Sequence, residues 1–249
     1  MTGFEERFDH GLDPGVWTPS YLPAWSSREA AAATWSVDDE GLHLTIPPEQ
    51  PLWCPDDHDP PLRVSGVQSA NRSGPVGSTD GQQPFQPGQT VREEQPTVLG
   101  LTPGDGTVAV ECRAGLGVSS MFSAWLIGLE DAPERCGEIC LVEVFGDTVT
   151  GTHATVGSGI KAFRDPHLVE DFVAEPRDLD VTAWHTYAAR RSPGRVELSI
   201  DGVPTRTLHQ APDYPMQLMI AVFDFPAHDP APDLTAVPEL VVRQVRYQP

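Results

Sequence analysis

The sequence predicts an all-β fold, a sandwich or barrel of short strands. Three observations carry this. Proline and glycine number 26 and 22 in 249 residues, a density that interrupts helices repeatedly. Alternating apolar segments recur along the chain. An Asp201-Gly202 pair directly after one of them marks a tight hairpin turn. Many short strands separated by such turns pack face to face or close on themselves.

In chain order, strand-like sequence begins at once, around Phe4 and Phe8. A short helical start signal follows at Ser27–Ala33. Leu42–Ile46 alternates, and so do Val108–Arg113 and Val196–Ile200. Met216–Phe223 and Leu240–Tyr247 read likewise. Residues 47–106 are different. They are rich in Pro, Gly, Gln, Ser and Asp, with one apolar island at Val64–Gln68. A long insertion of this kind inside a domain is functional or disordered. Neither flank looks self-sufficient, so residues 1–249 are read as one domain carrying the insertion.

Charge excludes several partners. Asp and Glu total 36 against 16 Lys and Arg, a formal charge of −20. Lys161 is the single lysine and the arginines are scattered. Nucleic-acid binding needs clustered cations, as does an anionic membrane surface. No nucleic acid and no membrane partner is therefore expected, and oligomeric state is left open. No apolar run approaches the ~18 residues of a spanning helix. The first residues lack a basic start and an apolar stretch. The expectation is a cytoplasmic protein, or a secreted one if the chain is a trimmed piece.

Cys54, Cys112, Cys136 and Cys140 are too few for a disulfide scaffold and read as reduced thiols. The Cys136/Cys140 spacing has no histidine pair beside it, and Asp56-Asp57-His58-Asp59 reads as a solvated acidic loop. No metal and no cofactor is expected.

The chemically informative segment is Ala124–Gly128 followed by Gly137–Gly146. Glu138 and Glu143 lie inside an otherwise apolar strand, where acids are rarely buried without a reason. In a regular strand Glu138 and Cys140 share a face and Glu143 points the other way. One bulged residue between Cys140 and Glu143 returns Glu143 to that face. Two such carboxyls, leaning together, approach the ~5–5.5 Å of a retaining glycosidase pair.

Here the chain resembles glycoside hydrolase family 16, the laminarinase- and lichenase-like enzymes. The family's Glu-x-Asp-x-x-Glu strand, after a segment like Ala-Phe-Trp-Leu, is matched by Ser123–Leu126 and Glu138–Glu143. Phe8–Trp17 resembles the family's opening strand and Gly151-Thr152-His153 the strand after the catalytic one. Trp184–Ala188, Ser192–Val196 and Asp201–Pro204 match a strand, hairpin and turn in order and spacing. The likeness is weak over 47–106. It implies a concanavalin A-like β-jelly roll sandwich with a long Pro/Gly-rich insertion. It implies Glu138 as nucleophile and Glu143 as general acid/base. Trp125 would stack on sugar and His153 would lie on the leaving-group side. Arg63 and Asn71 would flank a strand beside the cleft. The family's central Asp is Cys140 here, a weak donor set beside the nucleophile. The family's occasional calcium ligand near the C-terminus is Arg243, so calcium is not expected.

Three functions follow. The first is a retaining endo-β-glycan hydrolase or transglycosylase acting on a β-linked oligo- or polysaccharide. The second is a non-hydrolytic intracellular enzyme on the same fold acting on a small molecule, its pocket closed by the insertion. The third is a lectin-like carbohydrate-binding module.

Overall fold

The computed structural model describes residues 3–228 and 236–249. Its strands are β1 (Phe4–Glu6), β2 (Thr34–Asp38), β3 (Gly41–Thr45), β4 (Arg63–Gln68), β5 (Ala70–Asn71), β6 (Val98–Leu99), β7 (Gly106–Gly115) and β8 (Ser120–Gly128). There follow β9 (Glu138–Phe145), β10 (His153–Lys161), β11 (Asp171–Asp178), β12 (His185–Ser192), β13 (Arg195–Ile200), β14 (Val203–Leu208), β15 (Met216–Asp224) and β16 (Glu239–Gln248).

They form two antiparallel sheets face to face, a β-jelly roll sandwich. One sheet runs β14-β13-β12-β7-β16-β3-β2, with β1 also paired to β16. The other runs β11-β10-β9-β8-β15-β4. Between them Leu44, Val110, Phe122, Ile139, Tyr187, Leu218 and Val242 fill one core. The alternation of Val108, Val110 and Cys112 in β7 is the pattern of a strand with one face in that core.

Strands β8 and β15 read instead as unbroken apolar runs, and the structure gives the reason. Every residue of both is buried. Their second face lies under the chain between Tyr21 and Val91. There Trp25, Trp53, Leu62 and Val91 pack against Met121, Trp125, Met219, Ala221 and Phe223 in a second apolar cluster. The insertion thus supplies the sheet's edge strand β4 and, with the chain from Tyr21 onward, a cap on the outer face of the six-stranded sheet. Its many glutamines are tied in place. The Gln68 side chain accepts from the Leu22 amide at 3.1 Å, that of Gln82 accepts from the Arg72 amide at 3.1 Å, and that of Gln50 donates to the carbonyls of Ala32 and Val64. Such bonds offset the desolvation of buried amides.

The helical signal at Ser27–Ala33 closes only one turn, Ala31 N to Ser27 O at 2.9 Å. The chain then enters β2. The 3₁₀ turn present nearby is Pro23–Trp25. All four cysteines are buried and unbridged.

Candidate active site

The bulge expected in β9 is present. Across the β8–β9 ladder Ala124 pairs with Val142 and Trp125 with Cys140, so Leu141 has no partner. On the other side Gly157 pairs with Glu143 and Gly159 with Cys140. The extra residue turns Glu138, Cys140 and Glu143 to one face, the outer one, while Ile139, Leu141, Val142 and Val144 enter the core.

Glu138, Glu143, Trp125 and Ser123 meet in a cavity of about 260 Å³. The cap supplies Tyr21, His58, Leu62 and Gln83 to its wall, β15 supplies Phe223, and the segment after β10 supplies Phe163. A second cavity of about 200 Å³, lined by Trp53, Phe85, Glu130 and Arg164, shares Tyr21, His58, Gln83 and Phe163 with it. Trp125 borders the site but is only 5% exposed, since it packs within the cap cluster with Phe223 6.1 Å away.

Lys161 was not singled out for the site from the sequence. It pairs with Glu138 in the ladder and its ammonium reaches both acids. Nζ lies 3.2 Å from Glu138 Oε1 and 3.0 Å from Glu143 Oε2. The Phe172 ring lies 4.7 Å from Nζ. Gly157 makes room for that ring, because a Cβ there would come within 2.6 Å of Phe172 Cζ. The available signal was that this is the chain's single lysine, placed at the end of a strand that follows the acidic one.

Burial sets the electrostatics. Desolvation pushes Glu138 up to about 7 against the pull of Lys161, with Glu143 and Glu170 adding to the rise. Burial also pulls Lys161 down, but the neighbouring carboxyls of Glu138 and Glu143 outweigh it and hold the amine protonated. The Cys140 thiol is pushed well up, first by burial and then by Glu138, so it is a neutral spacer between the acids.

The other expected site residues sit elsewhere. His153 is at the far end of β10, exposed and paired with Asp178 at 3.0 Å, four positions beyond Gly157, the partner of Glu143. Arg63 closes the end of β4 in an ion pair with Asp224 at 3.0 Å and donates to the Gln50 carbonyl. Asn71 is buried under the cap, bonded to Gln68 and Gln95. The cap's own bonds consume the last two, and strand length carries His153 away. In the Asp56–Asp59 segment Asp57 is spent on an ion pair with Arg92. His58 alone turns to the cavity, its ring 5.3 Å from Trp53 and 5.2 Å from Phe85.

No protein-family model matches this sequence, and no curated protein matches it. Solved structures do. A GlcNAcα1-4Gal-releasing endo-β-galactosidase from Clostridium perfringens superposes with a TM-score of 0.79 at 22% identity. That match covers 98% of this chain and 61% of the enzyme, so the chain spans less than two thirds of it. A laminarinase from Flavobacterium sp. UMI-01 gives 0.67 at 12% identity, covering 99% of each chain. A non-specific endo-β-1,3(4)-glucanase from family GH16 gives 0.66 at 14%, covering 98% of this chain and 89% of that one. At such identities the likeness is one of fold, and the fold of this chain is the β-jelly roll of the glycoside hydrolase family 16 enzymes.

Proposed function

We propose that the protein is a retaining β-glycan-processing enzyme, a hydrolase or transglycosylase, with Glu138 as nucleophile and Glu143 as general acid/base. One observation carries the reading: the β9 bulge presents two carboxyls, one buried and one half-buried, to one cavity, joined by a single ammonium. Sharing that ammonium keeps the two contacting oxygens no farther than about 6 Å apart, a bound that admits the ~5–5.5 Å of retaining pairs and lies short of the ~6.5–9.5 Å of inverting ones. Glu143 is the more open of the two, with 18% of its side chain exposed against 8% for Glu138. That suits a group that exchanges protons with a departing oxygen and then with water.

The cap shapes the substrate. With the cap walling one side of the cavity through Tyr21, His58, Leu62 and Gln83, there is room for few sugar units on the capped side. The endo-β-galactosidase that shares this fold is described as releasing a disaccharide, GlcNAcα1-4Gal. A short recognised unit at the end of a β-linked glycan fits the capped site. The same closure favours a second reading, general acid/base work on a small non-sugar molecule enclosed by the cap.

A turnover screen tests this. The protein is incubated with laminarin, mixed-linkage glucan, agarose, carrageenan, xyloglucan, mucin-type O-glycans and aryl β-glycosides, with Glu138→Gln and Glu143→Gln in parallel. Cleavage lost in both variants supports the reading. The absence of cleavage on every glycan overturns it and leaves the small-molecule reading.

A further inference from the structure

We propose that Lys161 is a shared counter-ion, pairing with whichever of Glu138 and Glu143 carries negative charge as the reaction moves it between them. This rests on the paired-carboxylate reading above and assigns a positioning residue to it. The geometry points there. Lys161 sits opposite Glu138, whereas Glu143 sits opposite Gly157. To touch both, the lysine stem lies back along β10 across the row of Gly159 and Cys140. An ammonium has three donors, enough to serve two carboxylates without leaving either.

The charge balance explains the need. The proposed reaction starts from an ionised Glu138, a protonated Glu143 and a cationic Lys161, so the trio is neutral. A Glu138 oxygen then bonds to the anomeric carbon. The bond to the leaving oxygen breaks, and the Glu143 proton passes to that oxygen. Glu138 is now a neutral ester and Glu143 an anion, again balanced by Lys161. In the second step the oxygen of water, or of an acceptor hydroxyl, bonds to the anomeric carbon. Its proton goes to Glu143 and the ester electrons return to Glu138. At neither stage does the buried site hold an uncompensated charge, which would be expensive at this depth.

The neighbours offer no substitute. From β9, Cys140 is held neutral by burial. From the cap, burial likewise keeps the Tyr21 phenol neutral, and His58 lines the wall. From the segments beside β10, Glu170 adds negative charge and Arg164 is taken by Glu130. The β11 side contributes the Phe172 ring, whose face suits a cation. Among the described residues, Lys161 is the one cation in contact with both acids.

Lys161→Met keeps the stem and removes the charge, and Lys161→Arg keeps the charge. Carbon-13 carboxyl resonances of glutamate are titrated in the intact protein without substrate. The pH profile of kcat/KM is measured on the glycan found in the screen. The expected result is that the paired carboxyls titrate at least one pH unit higher in Lys161→Met, with Lys161→Arg between it and wild type. The acid limb of kcat/KM moves the same way, and kcat falls 10²-fold or more. A carboxyl titration of Lys161→Met that superimposes on wild type, in a variant with unchanged circular dichroism, overturns the proposal. The titration is read without turnover, so it tests Lys161 even where no glycan is cleaved, an outcome that would sink the hydrolase reading alone.

Discussion

Glu138 and Glu143 are five residues apart in one strand and yet face the same cavity, because Leu141 between them has no partner in the adjoining ladder. The site exists through that register shift. A regular strand of the same sequence would bury one glutamate in the cavity wall and drive the other into the core.

The acid at Glu143 is therefore predicted to be replaceable without loss of the fold. Glu143→Gln keeps the fold, read by circular dichroism, and lowers kcat by about 10²–10⁴. A folded Glu143→Gln variant with unchanged kcat would contradict its role.

Glu138 costs the fold stability. Its carboxyl is raised to about 7 by burial, so the protonated form is the one that folding favours. That contribution is full below the ordinary carboxylate value and is lost as the pH rises through about 7. Glu138→Gln is neutral throughout. We expect it to be more stable than wild type at pH 8 by ~1–3 kcal/mol and equal to it near pH 5. Urea melts at the two pH values check this, and a variant weaker at pH 8 would show that Lys161 more than compensates the buried charge.

As the proposed nucleophile, the same group is predicted to set the acid limb of activity. A nucleophile must be ionised, so kcat/KM is expected to fall as the pH drops below about 7, an unusually high limb for a carboxylate. Because two acids share the site, the measured value belongs to the pair. A limb near 4 would place the nucleophile elsewhere.

The cap is anchored at Glu130. Its buried carboxylate is paired with Arg164 and accepts from the Gln83 amide at 2.6 Å, while its carbonyl takes Arg72 Nη1 at 2.8 Å. Glu130→Ala leaves Arg164 and the Gln83 amide unpaired while the carbonyl keeps Arg72, at about 1–3 kcal/mol. Faster hydrogen exchange is expected at Gly77 and Val91, whose amides tie the cap's hairpin at 2.8 Å each. Unchanged exchange there would show that the cap is held elsewhere.

Much of this was legible in the sequence, for physical reasons. One face of a strand in a core repeats every second residue, so β7, β13 and β16 announce themselves. The bulge was readable because acids at i and i+5 cannot share a face without one. Lys161 was not, because its role depends on which strand lies beside β9 and in what register. The cap was not, because segments held by glutamine side chains, Gln50, Gln68, Gln82 and Gln95, carry no periodicity. Similar side-chain bonds tie Asn71 to Gln95 and Arg63 to the Gln50 carbonyl, contacts that the sequence pattern does not reveal.

The most direct measurement is to trap the intermediate. Aryl 2-deoxy-2-fluoro-β-glycosides with a good leaving group slow the second step more than the first, so a glycosyl-enzyme accumulates. The intact protein is weighed by mass spectrometry and then digested and mapped. The prediction is one added sugar, carried by the peptide containing Glu138 and absent in Glu138→Gln. An adduct on Glu143 or on any other residue, or hydrolysis with inverted anomeric configuration and no adduct, would contradict it.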